Sequence, residues 1–289
     1  MRGRVCAITG ASSGLGYETA LALARKGATV ALLCRSTERG AQARDRIVAD
    51  CGNEDLHVVH CDHANLDSVR AAAAELLERF DALHVLVNNA GLILNQRRIT
   101  VDGIEETFQV NHLAAFLLTG LLLERLDTSA PARVLTVSSV AHRAAALDFD
   151  DLQSARLYDG WTVYARSKLA NVLFTYELAR RLGPTRITAN TLHPGIVRSG
   201  FGHNNGHMMR AFMTLTQLPP LAVSARRGAR TQVWLASAPE VEHVSGRYFV
   251  RRRARRSSRP SYEREAQRRL WDASETLLAG HGESRPGPV

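Results

Sequence analysis

Near the start of the chain, Arg4-Val5-Cys6-Ala7-Ile8-Thr9 forms a short apolar run that breaks on glycine. Gly10-Ala11-Ser12-Ser13-Gly14-Leu15-Gly16 follows, and residues 17–25 then place apolar side chains at helical spacing. Such a run suits a parallel strand buried on both faces, where polar alternation is not needed. Strand, glycine turn and helix in that order constrain the chain to a parallel α/β architecture. The same order is the context in which bare backbone approaches a dinucleotide pyrophosphate, whose charge then rests on a helix N-terminus. The spacing G-x-x-x-G-x-G differs from the commoner G-x-G-x-x-G, so a glycine-rich turn without a ligand stays open.

Alternation continues along the chain. The pattern predicts strands over 4–9, 29–34, 56–61, 83–87, 132–138, 186–192 and 246–250. Helices are expected near 14–26, 38–50, 65–80, 102–127, 159–182, 225–237 and 262–278. This implies a doubly wound parallel sheet, a Rossmann fold in one domain over 1–279, with a frayed Gly/Pro-rich tail at 280–289. A chain of 289 residues suits one such domain. Segments 141–158 and 198–222 would emerge at the carboxyl ends of strands, where open sheets bind ligands. Phe201, Met208, Met209, Phe212, Met213 and Leu215 make the second segment a substrate lid or a cover for the sheet edge.

The chemistry concentrates in Tyr164-Ala-Arg-Ser-Lys168, 25 residues after Ser139. Tyrosine four residues before lysine on a helix shares its face. An ammonium beside a phenol favours the phenolate, so the tyrosine pKa is expected to fall toward working pH and to suit proton exchange with an alcohol or carbonyl oxygen. Cofactor choice rests on the end of the second strand, Cys34-Arg35-Ser36, with Arg39 one turn on and no acid at that point. Arginine there accommodates a 2′-phosphate through charge-assisted bonds, which favours NADP(H). Asn111, mid-helix, is an unfavourable helix residue unless it has a job. His142, His193 and His203 are not spaced as a metal site, and no metal is expected. Ser-His-Asp hydrolysis lacks its G-x-S-x-G elbow.

Thr9-Gly10-x-x-x-Gly14-x-Gly16, Asn88-Asn89-Ala90-Gly91, Asn111, Ser139, Tyr164-x-x-x-Lys168 and Pro194-Gly195 occur in the order found in short-chain dehydrogenases/reductases. Gln109-Val-Asn111-His-Leu, Val137-Ser-Ser-Val-Ala-His142, Ser167-Lys168-Leu-Ala-Asn171, His193-Pro-Gly195, Gly246-Arg-Tyr-Phe249 and Leu270-Trp271-Asp-Ala-Ser274 resemble the retinol-dehydrogenase-like branch, with its WW-domain-oxidoreductase relatives. The long Ser-to-Tyr gap matches that branch too. The resemblance implies catalysis by Asn111, Ser139, Tyr164 and Lys168. Tyr164 would donate the proton in reduction, Ser139 would face the substrate oxygen (Ser138 being its neighbour), and the Asn111 carbonyl would hold a water leading from Lys168 to solvent. Cofactor contacts are implied for Gly10, Ser12, Ser13, Gly14, Leu15, Gly16, Arg35, Ser36, Asp62, His63, Asn88, Ala90, Gly91, Tyr164, Lys168, Pro194, Gly195, Val197 and Ser199. Asp62 would bond the adenine amine rather than cap the helix after it. The expected reaction is NADP(H)-dependent reduction of an apolar, polycyclic or similar small-molecule ketone or aldehyde, or oxidation of its alcohol. A non-catalytic nucleotide-binding or scaffold protein of the same fold is the alternative. Some members dimerise through the tyrosine helix and the one before it, so a homodimer is open.

Net charge is +9, and the stretch from Arg247 to Arg269 holds ten arginines against Glu263 and Glu265. A solvated edge, an acidic partner or anionic substrate, and nucleic acid are three readings of this stretch; no reading helix or aromatic platform supports the last. Lys26 and Lys168 are the only lysines, which makes the one at the site conspicuous. Cys6, Cys34, Cys51 and Cys61 show no C-x-x-C spacing and read as reduced structural thiols of a cytoplasmic protein. The first strand starts too early to leave room for a signal peptide, and the membrane anchor that several relatives carry is not expected.

Overall fold

The computed structural model describes residues 1–183, 185–198 and 223–280. Ser199, nearly all of the 198–222 segment, and the tail after Gly280 lie outside the described residues. In β1 (Val5–Thr9), Cys6 and Ile8 enter one core while Ala7 enters the other. β2 (Thr29–Cys34) divides in the same way, with Val30, Leu32 and Cys34 opposite Ala31 and Leu33. Period-2 geometry thus serves two buried faces at once, which is why these strands read as unbroken apolar runs.

The remaining strands of the main sheet are β3 (Leu56–His60), β4 (Val85–Asn88), β5 (Ala132–Val137), β6 (Ile187–His193), β9 (Tyr248–Val250) and β10 (Arg253–Arg255). A separate two-residue parallel pair joins β7 (Val197–Arg198) to β8 (Val223–Ser224). The main sheet runs β10-β9-β6-β5-β4-β1-β2-β3, parallel except for β10. Strand order reverses between β1 and β4, so a crevice opens where the carboxyl ends of those two strands part.

α1 (Gly14–Ala24), α2 (Thr37–Cys51) and α7 (Ala225–Ser237) bury Leu21, Ile47 and Leu235 on one face of the sheet. On the other face, α3 (Leu66–Arg79), α5 (Ala114–Thr128), α6 (Gly160–Leu182) and α8 (Arg264–Ala279) bury Val69, Leu117, Leu173 and Leu270. α8 lies on α5 and α6: Trp271 stacks on Phe174 and meets Phe116 edge-on. No described helix is long and apolar enough to cross a membrane.

Two local departures from the sequence expectation matter. The helix expected over 102–127 is interrupted: α4 (Glu106–Phe108) passes through a π turn (Gln109–Leu113) before α5 begins. The arginine-rich stretch contains an extra strand. Val250 pairs with Arg253 across a two-residue hairpin whose turn residues, Arg251 and Arg252, have φ of 50° and 61°. That left-handed pair is the geometry a two-residue hairpin needs, although its usual residues are asparagine and glycine.

Candidate active site

The glycine turn sits at the crevice. Gly10 and Gly14 adopt φ of 65° and 57°, conformations that side chains resist. A Cβ at Gly16 would collide with the Gly10 carbonyl oxygen and lie 2.7 Å from Asn89 Nδ2. The turn is therefore bare backbone by necessity, as a bound pyrophosphate requires. Ser13 precedes α1 without spending its side chain on a cap, while the Ser12 hydroxyl bonds the Cys34 thiol beneath the turn. The Thr9 hydroxyl accepts from the amides of Asn89 and Ala90, both at 2.9 Å, tying the segment after β4 to the glycine turn. Asn88 donates to Thr119 Oγ1 at 2.9 Å.

At the end of β2, Arg35 is exposed and forms no ion pair among the described residues. Ser36 accepts from the Arg39 amide at 3.2 Å and caps α2, so a helix N-terminus opens beside Arg35. That pairing of a free guanidinium and a positive helix end fits an added phosphate. Asn65 caps α3 by accepting from the amides of Asp67 and Ser68. Asp62 instead closes its own turn, accepting from the Ala64 amide at 3.0 Å. The His63 ring turns inward and donates from Nδ1 to the Val110 carbonyl at 3.0 Å, so any cofactor contact of His63 falls to its main chain.

The catalytic candidates converge beyond the end of β5. Ser138 is buried and donates to the Lys168 carbonyl at 2.7 Å, which spends it on structure. Ser139, partly exposed, caps the 3-10 turn Val140–Ala144 and bonds the Tyr164 phenol. Of the two serines, Ser139 is the one that contacts the phenol. Lys168 Nζ lies 5.6 Å from the Tyr164 ring centroid and donates to the Val137 carbonyl at 3.3 Å. A Cβ at Gly91 would stand 3.1 Å from both Lys168 Nζ and Asn111 Oδ1, so glycine there lets the two side chains close in. Asn111 sits in the π turn rather than in regular helix. Its Oδ1 accepts from the Leu92 amide at 2.7 Å, and its Nδ2 donates to the Leu92 carbonyl and to Ser167 Oγ, both at 2.8 Å. That side chain is fully engaged, so it ties the π turn to the segment after β4 and to α6.

The electrostatics run opposite to the sequence expectation. Burial pushes the Tyr164 phenol up to about 12, opposed by the Ser139 hydrogen bond. The same burial pulls Lys168 down to about 8. For each group the cost of leaving water outweighs what its neighbours give back. The phenol therefore keeps its proton at neutral pH.

Sequence reasoning missed α7's contribution. Leu15 and Val197 meet over Gly228, where a Cβ would lie 2.8 Å from each. Gln232 accepts from Thr19 at 2.8 Å and reaches Asn89 Oδ1 at 3.4 Å. Gly195, at φ 95°, turns the chain after Pro194 toward this contact. A glycine and a glutamine within an ordinary amphipathic helix give no signal of such a role.

The sequence profile of the short chain dehydrogenase family matches residues 4–210. Retinol dehydrogenase 14 of Homo sapiens is 43% identical over 293 residues, covering 96% of this chain and 87% of that protein. Retinol dehydrogenase 12 of Mus musculus is 43% identical over 277 residues, covering 96% and 86%. Among solved structures, a protein from Mycobacterium paratuberculosis superposes with a TM-score of 0.77 at 33% identity, over 96% of this chain and 94% of that one. A short chain dehydrogenase from Burkholderia cenocepacia, solved in complex with NADP, gives 0.67 at 27% identity over 86% and 96%. Glycine turn, serine turn and Tyr-Lys helix therefore belong to an oxidoreductase of the short-chain dehydrogenase family, in its retinol-dehydrogenase-like branch.

Proposed function

We propose that this chain is an NADP(H)-dependent carbonyl reductase or alcohol dehydrogenase acting on an apolar small molecule. The observation that carries this reading is the convergence of three side chains at one point, with Ser139 bonded to the Tyr164 phenol and Lys168 Nζ 5.6 Å from the Tyr164 ring. In reduction, the phenol gives its proton to the carbonyl oxygen while Ser139 holds that oxygen in place. Lys168 then returns a proton to the phenol and is recharged from solvent through a water that the Asn111 carbonyl would hold. A reduced nicotinamide, when bound, supplies the hydride to the carbonyl carbon. The glycine turn, Asp62, the main chain of His63, and Asn88, Ala90 and Gly91 would hold that cofactor. Arg35 and Ser36 would hold its 2′-phosphate, and Pro194, Gly195, Val197 and Ser199 its carboxamide end.

The rim supports an apolar substrate. Val140, Trp161 and Ile196 leave large apolar surfaces exposed next to Ser139, Tyr164 and Gly195, with the Trp161 ring 5.9 Å from that of Tyr164. The free thiols of the four cysteines suit a reducing cytoplasm. A homodimer would need a face other than the part of α5 and α6 that α8 covers. An acidic protein partner for the 247–269 stretch would show as binding that weakens with salt.

The test is loss of NADPH absorbance with retinaldehyde, a steroid ketone and an aromatic polyketide ketone. Turnover of at least one is expected, falling by about a hundredfold or more in Tyr164→Phe. Tight NADPH binding with no turnover of any would favour the non-catalytic reading instead.

A further inference from the structure

Two imidazoles that the proton path does not use grip the turn bearing Ser139. His142 is fully buried, with Nδ1 2.5 Å from the Ser139 carbonyl oxygen, and its Nε2 accepts from the Ser258 amide at 3.0 Å. A carbonyl oxygen can only accept and a peptide N–H can only donate, so this ring is neutral with its proton on Nδ1. On the other side, His193 at the end of β6 accepts from the Val140 amide at 3.2 Å. The serine turn is thus held at consecutive residues, one by its carbonyl and one by its amide.

The Ser258 amide comes from a strap, residues 256–262, that joins β10 to α8 and lies outside the 4–210 match to the family profile. The strap is itself pinned. The Arg143 guanidinium donates to the Arg256 carbonyl. Ser257 Oγ lies 2.8 Å from the Tyr176 hydroxyl on α6 and 2.6 Å from Ser261 Oγ, and the Ser257 amide donates to the Tyr262 hydroxyl at 3.1 Å. One end of this network therefore sits on the helix carrying Tyr164 and Lys168, and the other on the turn carrying Ser139.

We propose that His142 is a positioning residue for the reaction: it couples the C-terminal strap to the Ser139 turn and keeps the serine hydroxyl in register with Tyr164. The proposal rests on the reading of Ser139 as the residue that faces the substrate oxygen. The groups around His142 are the Tyr248 ring at 4.9 Å on β9, Arg143 on its own turn, His193 on β6 and the Ser258 amide. Burial, with Arg143 nearby, holds His142 below the ordinary histidine range, and the Ser139 carbonyl pulls the other way. His193 is brought down to about 4 by burial, with His142, Arg143 and Arg251 adding to it. Both rings therefore keep the neutral tautomers at neutral pH.

Two variants cut the coupling at different points. His142→Phe keeps the ring and removes both hydrogen bonds. Ser258→Pro removes the amide proton that His142 accepts, at a backbone φ of −70° that proline adopts. Each should lower kcat on the fastest carbonyl of the panel by about tenfold to a hundredfold, the scale of a small misplacement of reacting groups, with KM for NADPH changed less than about twofold. In a Ser139→Ala background, His142→Phe should cost almost nothing further, because its effect runs through the serine. Full, additive losses in that background would make His142 a general packing residue and overturn the proposal, as would wild-type kcat in both single variants. Wild-type activity of Ser139→Ala alone would instead sink the assignment of the serine. Imidazole nitrogen chemical shifts of the wild-type protein give a substrate-free arm: the Nδ1–H tautomer of His142 is expected, and an Nε2–H tautomer overturns the coupling.

Discussion

The nucleotide side and the catalytic side of the crevice are built by different means. The first is local and made of backbone: Gly10 to Gly16 form one turn, closed by Thr9 hydroxyl bonds to the amides after β4. The second is assembled from side chains far apart in sequence, with Asn111, Ser139, Tyr164 and Lys168 brought together from three elements. A site made of backbone depends on shape, and so on the glycines that allow it. A site made of side chains depends on burial to set each protonation state.

That contrast can be broken from either side. The largest effect is expected from Tyr164→Phe, which deletes the proton and keeps the ring. Its turnover should fall by about a hundredfold to ten-thousandfold, while NADPH affinity measured by calorimetry stays near wild type. Equal loss of both would mean that the two sides are not separable. Arg35→Ala is the converse: NADPH binding should weaken by about 1.5–3 kcal/mol, the range for bonds to charged groups, with NADH binding nearly unchanged. Matching losses for the two cofactors would make Arg35 structural. Gly16→Ala should cost about 1–3 kcal/mol of stability through overpacking against Gly10 and Asn89. Chemical denaturation midpoints within error of wild type would show that the turn can shift after all.

The smallest effect concerns what both sides share. Burial lowers His63 on one side and takes His112 down to about 3 and His193 to about 4 on the other. These rings are neutral when folded, and the unfolded chain takes up protons first as pH falls. Their stabilising contribution is therefore complete above the unfolded histidine pKa of about 6.5. It declines from there toward the folded values. Melting temperature should be flat just above neutrality and drop steadily in mild acid; a melting temperature that rises on acidification would contradict the neutral assignment.

The legible parts were those with short-range spacing. The glycine turn and Tyr164-x-x-x-Lys168 each fit within two helical turns, and the parallel sheet flanked by helices followed from alternation. Segment 225–237 matched its helix, Ala225–Ser237, to the residue. Asn111 was marked by its poor helix propensity, but the π turn that houses it was not visible, because five residues of wider helix leave apolar spacing nearly unchanged. The direction of the Tyr164 shift was misread, since pairing is visible in sequence and burial is not. His142 stands in the sequence as part of a family motif and as a discounted metal ligand, not as a partner of a distant strap. Its partner Ser258 is 116 residues away, and nothing local relates the two.

The hairpin at the sheet edge carries a consequence for how the protein behaves in bulk. β10 is an outermost strand, with Arg253, Ala254 and Arg255 all exposed. An open strand edge is a template on which another chain can add backbone hydrogen bonds. Here any approaching copy brings its own arginines against these, and the left-handed turn at Arg251 and Arg252 bends the edge where stacking would begin. Colloidal stability is thus written into the same residues that give the chain its charge, and it depends on ionic strength. Concentrated solutions should scatter more light as salt rises and the repulsion is screened; a salt-independent signal would remove that role from the arginines.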